Sequence, residues 1–427
     1  MPVIDPLVLV RGLHFSATLL AAGTVSFIVL VAQPSLGEGK GAALLRRLTL
    51  LVWAALAIAV LSALAWLALV AANILGLPLT GLWQDDGFWT VIGETRFGVV
   101  ASLRLGFALI LGLLMAAPAF PGRRTLQLGA ATGLAGLLAL VGHAGATPGA
   151  AGWLHLASDL LHLLAAAGWL GGLPAFAMTL AATRDSPALG EGDLAVRATG
   201  RFSVLGIVCV GGLLVSGLVN SWELLGSPIE LWTTAYGRVL ALKIGLFASM
   251  VAIAAVNRLR LTPRLPAQAA VKSLHRNTMI ETALGLGVLL LVGALGNMIP
   301  GGHVHTNNEP VPSEAAFVHI HTEAVMAGVT IDPGHAGKST ATIRLGREDF
   351  SEYHARDVKL FLEPRDGGQR TPERAAVRTP DGTWQIGALD IPHAGVWIVR
   401  LTIGRDDGAP LVLDAPIVIM QCSNECW

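Results

Sequence analysis

Three ionisable side chains lie within an apolar segment that is long enough to cross a bilayer. The segment covers residues 153–173, WLHLASDLLHLLAAAGWLGGL, and contains His155, Asp159 and His162. In a helix of about 3.6 residues per turn, these spacings bring the three side chains onto one stripe. Ionisable groups are costly in hydrocarbon, so such a stripe normally faces a bundle interior and marks a functional path. Since imidazole is the commonest metal ligand, the stripe predicts an intramembrane metal site. The alternative is a structural stripe satisfied by neighbouring helices.

The composition indicates an integral membrane protein embedded in a lipid bilayer. Of the 427 residues, 53% are hydrophobic and 14% are charged, and the mean hydropathy is +0.62. The formal net charge is zero, so there is no basic field to suggest a nucleic-acid partner. The histidines are not accompanied by a nucleophile motif, and there is no glycine-rich phosphate loop. We therefore predict no catalytic residues, although a redox role stays open.

Eight apolar runs reach the length of about 20 residues that a spanning helix needs. They cover approximately residues 7–32, 44–72, 96–117, 124–143, 153–182, 202–225, 236–257 and 277–299. The first run lacks a basic leader region and an obvious cleavage site, so we interpret it as a retained span. Lys and Arg concentrate in the loops that follow the odd-numbered runs. By the positive-inside rule these loops are cytoplasmic, and both termini lie on the periplasmic side of a multi-pass inner-membrane protein.

The composition changes after Pro300. A polar linker is followed by seven or eight short alternating runs separated by Gly, Pro and Asp, which is typical of a small Ig-like β-sandwich. The predicted fold is thus mainly α, with eight transmembrane helices followed by an extracytoplasmic β-sandwich. The predicted domains are residues 1–299, a histidine-containing linker at 300–314, and the β domain at 315–427.

Two short patterns recur within the membrane part. A histidine precedes a glycine by nine residues, and a glycine precedes a basic residue by six. The pairs are His14–Gly23, His162–Gly171, Gly98–Arg104 and Gly237–Lys243. These matches suggest two four-span halves, 1–143 and 153–299, related as a parallel repeat. Chance alignment of glycine-rich apolar helices is the alternative.

The intramembrane polar groups share the outer half of the membrane. The rise of about 1.5 Å per residue places His14 and His162 roughly 10 and 13 Å below the outer surface. The proposed metal ligands of this region are His14, His143, His155, Asp159 and His162. Because a buried cation usually needs a partner, we expect Asp159 to pair with Arg104 or Lys243, unless both cations snorkel to the headgroups.

Further metal-binding residue types occur outside this set. His303 and His305 form one HxH pair in the linker, and His319 and His321 form another on a predicted strand, a pattern that suits Cu(II) or Zn(II) or simply a solvated face. Met298, Met420, Cys422 and Cys426 are additional soft ligands. In an oxidising compartment the two cysteines would form a disulfide, and when reduced they would bind Cu(I). Met115, Met178 and Met250 either add thioethers or only pack, and Asn257 and Glu281 are the polar residues through which an ion could leave the inner half.

Three stretches carry a family resemblance. They are RGLHFSATLLAAG from Arg11, HLLAAAGWLGGLPAF from His162, and YGRVLALKIGLFASMVAIAAVNRLRLTP from Tyr236. Residues 7–299 resemble the copper-resistance protein D (CopD) family, which implies an eight-helix inner-membrane protein linked to movement of copper from periplasm toward cytoplasm. The stretch AGVTIDPGHAGKSTATIRL resembles YtkA-like β domains. The histidine- and methionine-rich loop of the copper-resistance protein C-like domain found in some members is not evident here.

Three functions are compatible with these residues. The first is uptake of copper, as Cu(I) or Cu(II), received from a periplasmic copper chaperone through the β domain. The second is electron transfer by b-type haem, because histidines paired at equal depth on different helices suit axial ligation. The third is a metal-binding sensor or assembly factor that moves nothing.

Overall fold

The computed structural model describes most of the chain. The described residues are 6–36, 41–75, 79–82, 87–141, 149–185, 191–225, 227–265, 267–296, 298, 315–321, 325–346, 353–365, 367–405 and 408–420. Five of the predicted ligands lie outside them, namely His143, His303, His305, Cys422 and Cys426. The chain divides into two compact units, residues 1–307 and 308–427.

The first unit contains eight helices that are long and apolar enough to cross a membrane, which confirms the eight predicted spans. Spans 1 to 8 are, in order, Pro6–Ser35, Ala42–Ile74, Arg96–Ala116, Arg123–Val141, Trp153–Thr183, Leu194–Trp222, Ala235–Arg264 and Gln268–Leu295. Spans 6, 7 and 8 extend further toward the basic loops than the hydropathy indicated. Basic residues interrupt the apolar pattern there, but arginine and lysine are good helix formers and the helical backbone continues.

Four spans depart from regular α-helix. Span 4 ends in a 3₁₀-helix at Leu137–Val141. Span 1 is π-helical at Ile28–Ala32, and span 7 is π-helical at Asn257–Leu261. Span 5 consists of two α-helices, Gly149–Trp169 and Leu173–Asp185, separated by a turn. The turn covers residues 170–172 and contains Gly171. Pro174, the second residue of the following helix, has no N–H to continue the helical ladder.

Spans 1 and 5 meet through the two glycines of the recurring histidine pattern. A methyl group on Gly23 would lie 2.5 Å from the Cα of Gly171 and would overlap the carbonyl oxygen of Ala167. A methyl group on Gly171 would overlap the carbonyl oxygen of Leu19. Only glycine therefore allows the two backbones to approach so closely, as in other small-residue contacts between membrane helices.

Spans 3 and 7 also begin alike. Thr95 caps span 3 by accepting a hydrogen bond from the N–H of Gly98 at 3.0 Å, and Thr234 caps span 7 by accepting one from Gly237 at 2.9 Å. Each span follows a short helix, Gly87–Glu94 in one case and Glu230–Thr233 in the other. These paired features, together with the meeting of Gly23 and Gly171, match what a four-plus-four repeat requires.

Exposed tryptophans mark one end of the helical unit. Trp89, Trp153, Trp222 and Trp232 are between 65% and 82% exposed. They lie before span 3, at the start of span 5, at the end of span 6 and before span 7, which is one side of a bundle whose spans alternate in direction. Such aromatic residues are typical of a membrane interface.

The second unit is built from nine described β-strands. They are β1 Ala316–His321, β2 Met326–Asp332, β3 Gly337–Gly346, β4 Asp357–Pro364, β5 Arg374–Ala375, β6 Val377–Arg378, β7 Trp384–Ile391, β8 Gly395–Gly404 and β9 Leu411–Ile419. One antiparallel sheet has the order β1-β2-β3-β7-β6, and the other has the order β5-β4-β8-β9. The predicted strands are all present; β5 and β6, with two residues each, are too short to give an alternating pattern.

The two sheets share one apolar core, as expected of a β-sandwich. Alternate residues along β2, β3, β4 and β8 are buried, and Trp397 is fully enclosed while its indole N–H donates to the carbonyl oxygen of His393 at 3.1 Å. On β1, Ala316 and Ile320 belong to this core, whereas Phe317 is exposed. His319 and His321 lie on β1, which is an edge strand.

Candidate metal centre

His14 is held against span 2. Its Nδ1 lies 3.0 Å from the carbonyl oxygen of Ala59 and 3.0 Å from the hydroxyl oxygen of Ser62. The Ser62 hydroxyl itself donates to the Ile58 carbonyl at 2.6 Å. The ring is buried and lies 5.5 Å, centroid to centroid, from Trp66. His14 is therefore fixed in position by neighbours on one side of its ring.

His162 has the same arrangement against span 6. Its Nδ1 lies 3.0 Å from the hydroxyl oxygen of Ser216, and that hydroxyl donates to the Gly212 carbonyl at 2.6 Å. The backbone carbonyl of Ser216 accepts a hydrogen bond from Ser158, one turn before His162, at 3.1 Å. The two histidines thus occupy equivalent places, each on the first span of its half and each facing a serine of the second span.

The serines decide which ring nitrogen of each histidine is available to a ligand. Each hydroxyl hydrogen is already donated to a backbone carbonyl, so the hydroxyl oxygen can only accept from histidine. Nδ1 must then carry the proton, which leaves a lone pair on Nε2. In His14, Nε2 is buried and has no hydrogen-bond partner within the described part of the chain. A histidine that donates through one nitrogen and offers the other is the usual form of a metal ligand.

Asp159 supplies a carboxylate next to His162. The side-chain N–H of Asn220 donates to Asp159 Oδ1 at 2.6 Å. Asp159 also interacts electrostatically with His155, one turn earlier, and with Lys243 on span 7. This interaction favours Lys243 over Arg104 as the partner of Asp159, and the pairing itself stays a prediction.

Arg104 lies in the first half. It is 4% exposed, and it donates to the Leu134 carbonyl at 3.4 Å and to the Thr18 hydroxyl at 3.3 Å. Thr18 is one turn beyond His14, so the guanidinium lies near that histidine. Arg104 therefore points into the helical unit and does not snorkel to the headgroups.

The two halves differ one turn before each histidine. The first half has Arg11, whose guanidinium donates to the Gly296 carbonyl at 2.8 Å and lies 5.6 Å from the ring centroid of Trp66. The second half has Asp159 and Asn220 in the corresponding places. The first half thus surrounds its histidine with positive charge, and the second half adds a carboxylate. The carboxylate of Asp159 offsets the charge of Lys243 in the second half, whereas no carboxylate has been identified beside Arg11 and Arg104 among the described residues of the first half.

The remaining predicted ligands are dispersed. In the ranges that the structure describes, no group of three or more His, Cys, Asp or Glu side chains is placed to hold a metal ion. His155 is buried near Asp159, Met298 packs against the apolar cluster around Tyr236, and Met420 is exposed beside His335 at the end of β9. His143, which the sequence places in the same outer layer, falls outside the described residues.

Sequence reasoning missed the small polar residues that contact His14, His162, Asp159 and Arg104. Ser62, Ser216, Thr18 and Asn220 are small polar residues within apolar runs. Their polarity was the available signal, but their partners lie on other spans. Ser62 and Ser216 lie on different helices from the histidines that they contact, so no spacing within one helix relates them.

A second polar group lies toward the basic loops. Asn277 donates to the side-chain oxygen of Asn257 at 2.8 Å, and Asn257 donates to Glu281 Oε2 at 3.1 Å. Asn257 is the first residue of the π-helical segment of span 7. The other carboxylate oxygen of Glu281 is buried without a partner among the described residues.

Known proteins resemble this chain over its helical unit. The family model described as copper resistance protein D matches residues 196–295, and the one described as copper resistance protein D-like, N-terminal domain, matches residues 2–153. The chain is 26% identical over 239 residues to the copper transport protein CutJ of Bacillus subtilis, covering 54% of this chain but only 41% of CutJ.

A second relative is matched along nearly its whole length. The chain is 30% identical over 295 residues to the inner membrane protein YebZ of Escherichia coli, covering 68% of this chain and 97% of YebZ. Both family matches end before the first strand of the β domain. With its eight spans and this relative, the chain is a multi-pass membrane protein and belongs to the copper resistance protein D family.

Proposed function

We propose that this protein takes copper from the periplasmic side of the inner membrane and moves it into or across the bilayer through an intramembrane histidine and aspartate site. The observation that carries the proposal is the matched orientation of His14 and His162, each with Nδ1 on a serine of the following span, together with a buried His14 Nε2 that has no partner among the described residues. Asp159 and His155 add a carboxylate and a second imidazole beside His162. His143 completes the set in this proposal.

Charge compensation explains how such a site is stable when empty. A lone carboxylate in a low-dielectric interior is strongly unfavourable, and Lys243 offsets its charge electrostatically. A copper ion that binds beside Asp159 takes over this role. Entry of the cation and release of Lys243 from Asp159 are then two parts of one event.

The proposed direction follows from the distribution of basic residues among the loops. It places both termini, the linker and the β domain in the periplasm. In this scheme the β domain accepts copper from a periplasmic chaperone, and the outer ligands transfer it to the intramembrane site. These ligands are His303, His305, His319, His321, Met298, Met420, Cys422 and Cys426.

Copper accumulation by cells tests the proposal. Cells that express His162→Ala should accumulate less copper than cells that express the wild type, by more than about tenfold, since even loss of a partner behind a metal ligand costs that much affinity. His275→Ala is the matched control, because it removes an imidazole from the basic loop region and should leave accumulation unchanged. Equal accumulation by all three proteins, at equal expression, would contradict transport and favour a sensor or assembly factor.

The pairing of His14 and His162 also gives the haem alternative a specific basis, since a b-type haem needs two imidazoles with free Nε2 atoms. The absorption spectrum of the purified protein distinguishes the two functions. A Soret band that is lost in both His14→Ala and His162→Ala would assign these residues to haem. The copper proposal requires that the purified protein show no Soret band.

A further inference from the structure

The helical unit contains a buried carboxylate that the proposed outer site does not use. Glu281 lies on span 8 and is only 3% exposed. Asn257 donates to its Oε2, and its Oε1 is buried without a hydrogen-bond partner among the described residues. A carboxylate left half-satisfied in a low-dielectric interior is unfavourable unless a cation or a proton neutralises it.

Two amides fix the orientation of this carboxylate. Because Asn277 donates to Asn257 Oδ1 at 2.8 Å, the amide of Asn257 must present its N–H group to Glu281. Asn277 lies one turn before Glu281 on the same helix, and Asn257 lies on span 7. Two helices therefore hold one carboxylate oxygen and leave the other open, as second-layer groups do behind metal ligands.

A thioether packs against span 8 one turn from this carboxylate. Met250 is fully buried two turns before Asn257 on span 7. A methyl group on Gly285, one turn beyond Glu281, would lie 3.4 Å from the Cε of Met250 and 3.4 Å from the Cγ of Leu170. Leu170 belongs to the turn that interrupts span 5. Met250 thus packs against span 8 one turn beyond Glu281, close to the break in span 5.

We propose that Glu281, oriented by Asn257 and Asn277 and one turn from the position where Met250 packs, is a second copper site in the half of the membrane nearest the basic loops. Its ligand is Cu(I). A single carboxylate balances the single charge of this ion, and a thioether is a soft ligand that suits it. The inference rests on the proposed copper movement, to which it adds the inner step between the histidines and the cytoplasm.

The number of bound copper ions tests this site. The full-length protein is purified in detergent, loaded with Cu(I) under reducing conditions, freed of excess metal and analysed for copper per chain. The wild type should hold one more ion than Glu281→Gln, which keeps the size of the side chain and removes its charge. Thr278→Val is the matched control, because Thr278 is equally buried one turn away and its hydroxyl bonds only to the Leu274 carbonyl. Glu281→Gln with the same copper content as Thr278→Val would overturn the inference.

A second variant keeps the test decisive if Glu281→Gln does not fold. Asn277→Ala leaves the carboxylate in place and frees the Asn257 amide, so the affinity of the inner ion should fall by roughly 10–100-fold. Unchanged affinity would overturn the inner site. His162→Ala separates the two proposals. Loss of an ion in His162→Ala but not in Glu281→Gln would overturn the inner site alone. Full copper content in both variants would also overturn the proposed function.

Discussion

The Nδ1 atom of His162 lies 3.0 Å from the hydroxyl oxygen of Ser216, and the same 3.0 Å separates His14 Nδ1 from the hydroxyl of Ser62. In each case the histidine is on the first span of a four-span half and the serine is on the second. Each serine also donates its own proton to the carbonyl four residues earlier. The same local arrangement therefore occurs twice, and in both halves the serine hydroxyl engages Nδ1 of the histidine.

Removal of the Ser216 hydroxyl should weaken copper binding without unfolding the protein. In Ser216→Ala the His162 ring loses the acceptor that fixes its tautomer and orientation, so the copper affinity should fall by about 10–100-fold. Competition with a coloured Cu(I) chelator measures this. Ser249→Ala is the control, because the exposed Ser249 hydroxyl donates only to the Gly245 carbonyl. Identical affinities for the two variants would show that Ser216 does not support a metal ligand.

The contact between the halves should tolerate no side chain at Gly171. In Gly171→Ala the new methyl group meets the backbone of span 1 at Leu19, which cannot move aside as a side chain would. We expect destabilisation of about 1–3 kcal/mol, as for other overpacked sites. Thermal unfolding in detergent measures the effect.

Gly245→Ala provides the comparison for this variant. Gly245 lies on span 7 with open space around it, so alanine should be neutral or should stabilise its helix by up to about 1 kcal/mol. A Gly171→Ala protein as stable as Gly245→Ala would contradict the close approach of spans 1 and 5.

Asp159 and Lys243 should be energetically coupled. The change Asp159→Asn leaves Lys243 without its electrostatic partner, and Lys243→Met leaves Asp159 without its own. The stability lost by the double variant should therefore be smaller than the sum of the losses of the two single variants. The difference is a coupling energy of about 0.5–3 kcal/mol. Unfolding measurements on the four proteins of the cycle give this value.

The control cycle combines Asp159→Asn with Arg104→Met. Arg104 bonds to Thr18 and Leu134 in the other half, so the two changes should be additive within about 0.5 kcal/mol. Stronger coupling of Asp159 to Arg104 than to Lys243 would reverse the assignment of the pair.

The membrane orientation can be read by thiol labelling. In a protein whose three cysteines have been replaced, a cysteine at Thr233 should react with a membrane-impermeant reagent in intact spheroplasts, because this exposed residue precedes span 7 on the proposed periplasmic side. A cysteine at Lys272, which is exposed at the start of span 8, should react only after lysis. The opposite pattern would place the β domain in the cytoplasm.

The sequence was sufficient to predict the elements that are defined by the length of an apolar run or by the period of an alternating pattern. Eight apolar runs gave eight spans, and alternating residues gave the longer strands of the sandwich. The nine-residue interval between His14 and Gly23, and between His162 and Gly171, even located the two backbones that touch. Hydropathy failed only at the ends of spans 6 to 8, where basic residues continue the helices.

The details of the site depended on contacts between helices. Ser62 and Ser216 are ordinary small residues of apolar spans until the fold places them against histidines 48 and 54 residues away. The choice of Lys243 over Arg104 as the partner of Asp159 likewise depends on which half each cation belongs to. The π-helical turn at Asn257, which presents its amide to Glu281, follows from the packing of spans 7 and 8 and has no local signal.

X-ray absorption at the copper edge of the loaded, full-length protein tests the central claim most directly, because it reports the ligands of the bound ion. We predict imidazole scattering from the wild type and from His275→Ala, and its loss or marked reduction when His14 and His162 are both replaced by alanine. A spectrum without imidazole, or one that the double replacement leaves unchanged, would contradict the proposal that the two serine-bound histidines hold copper within the membrane.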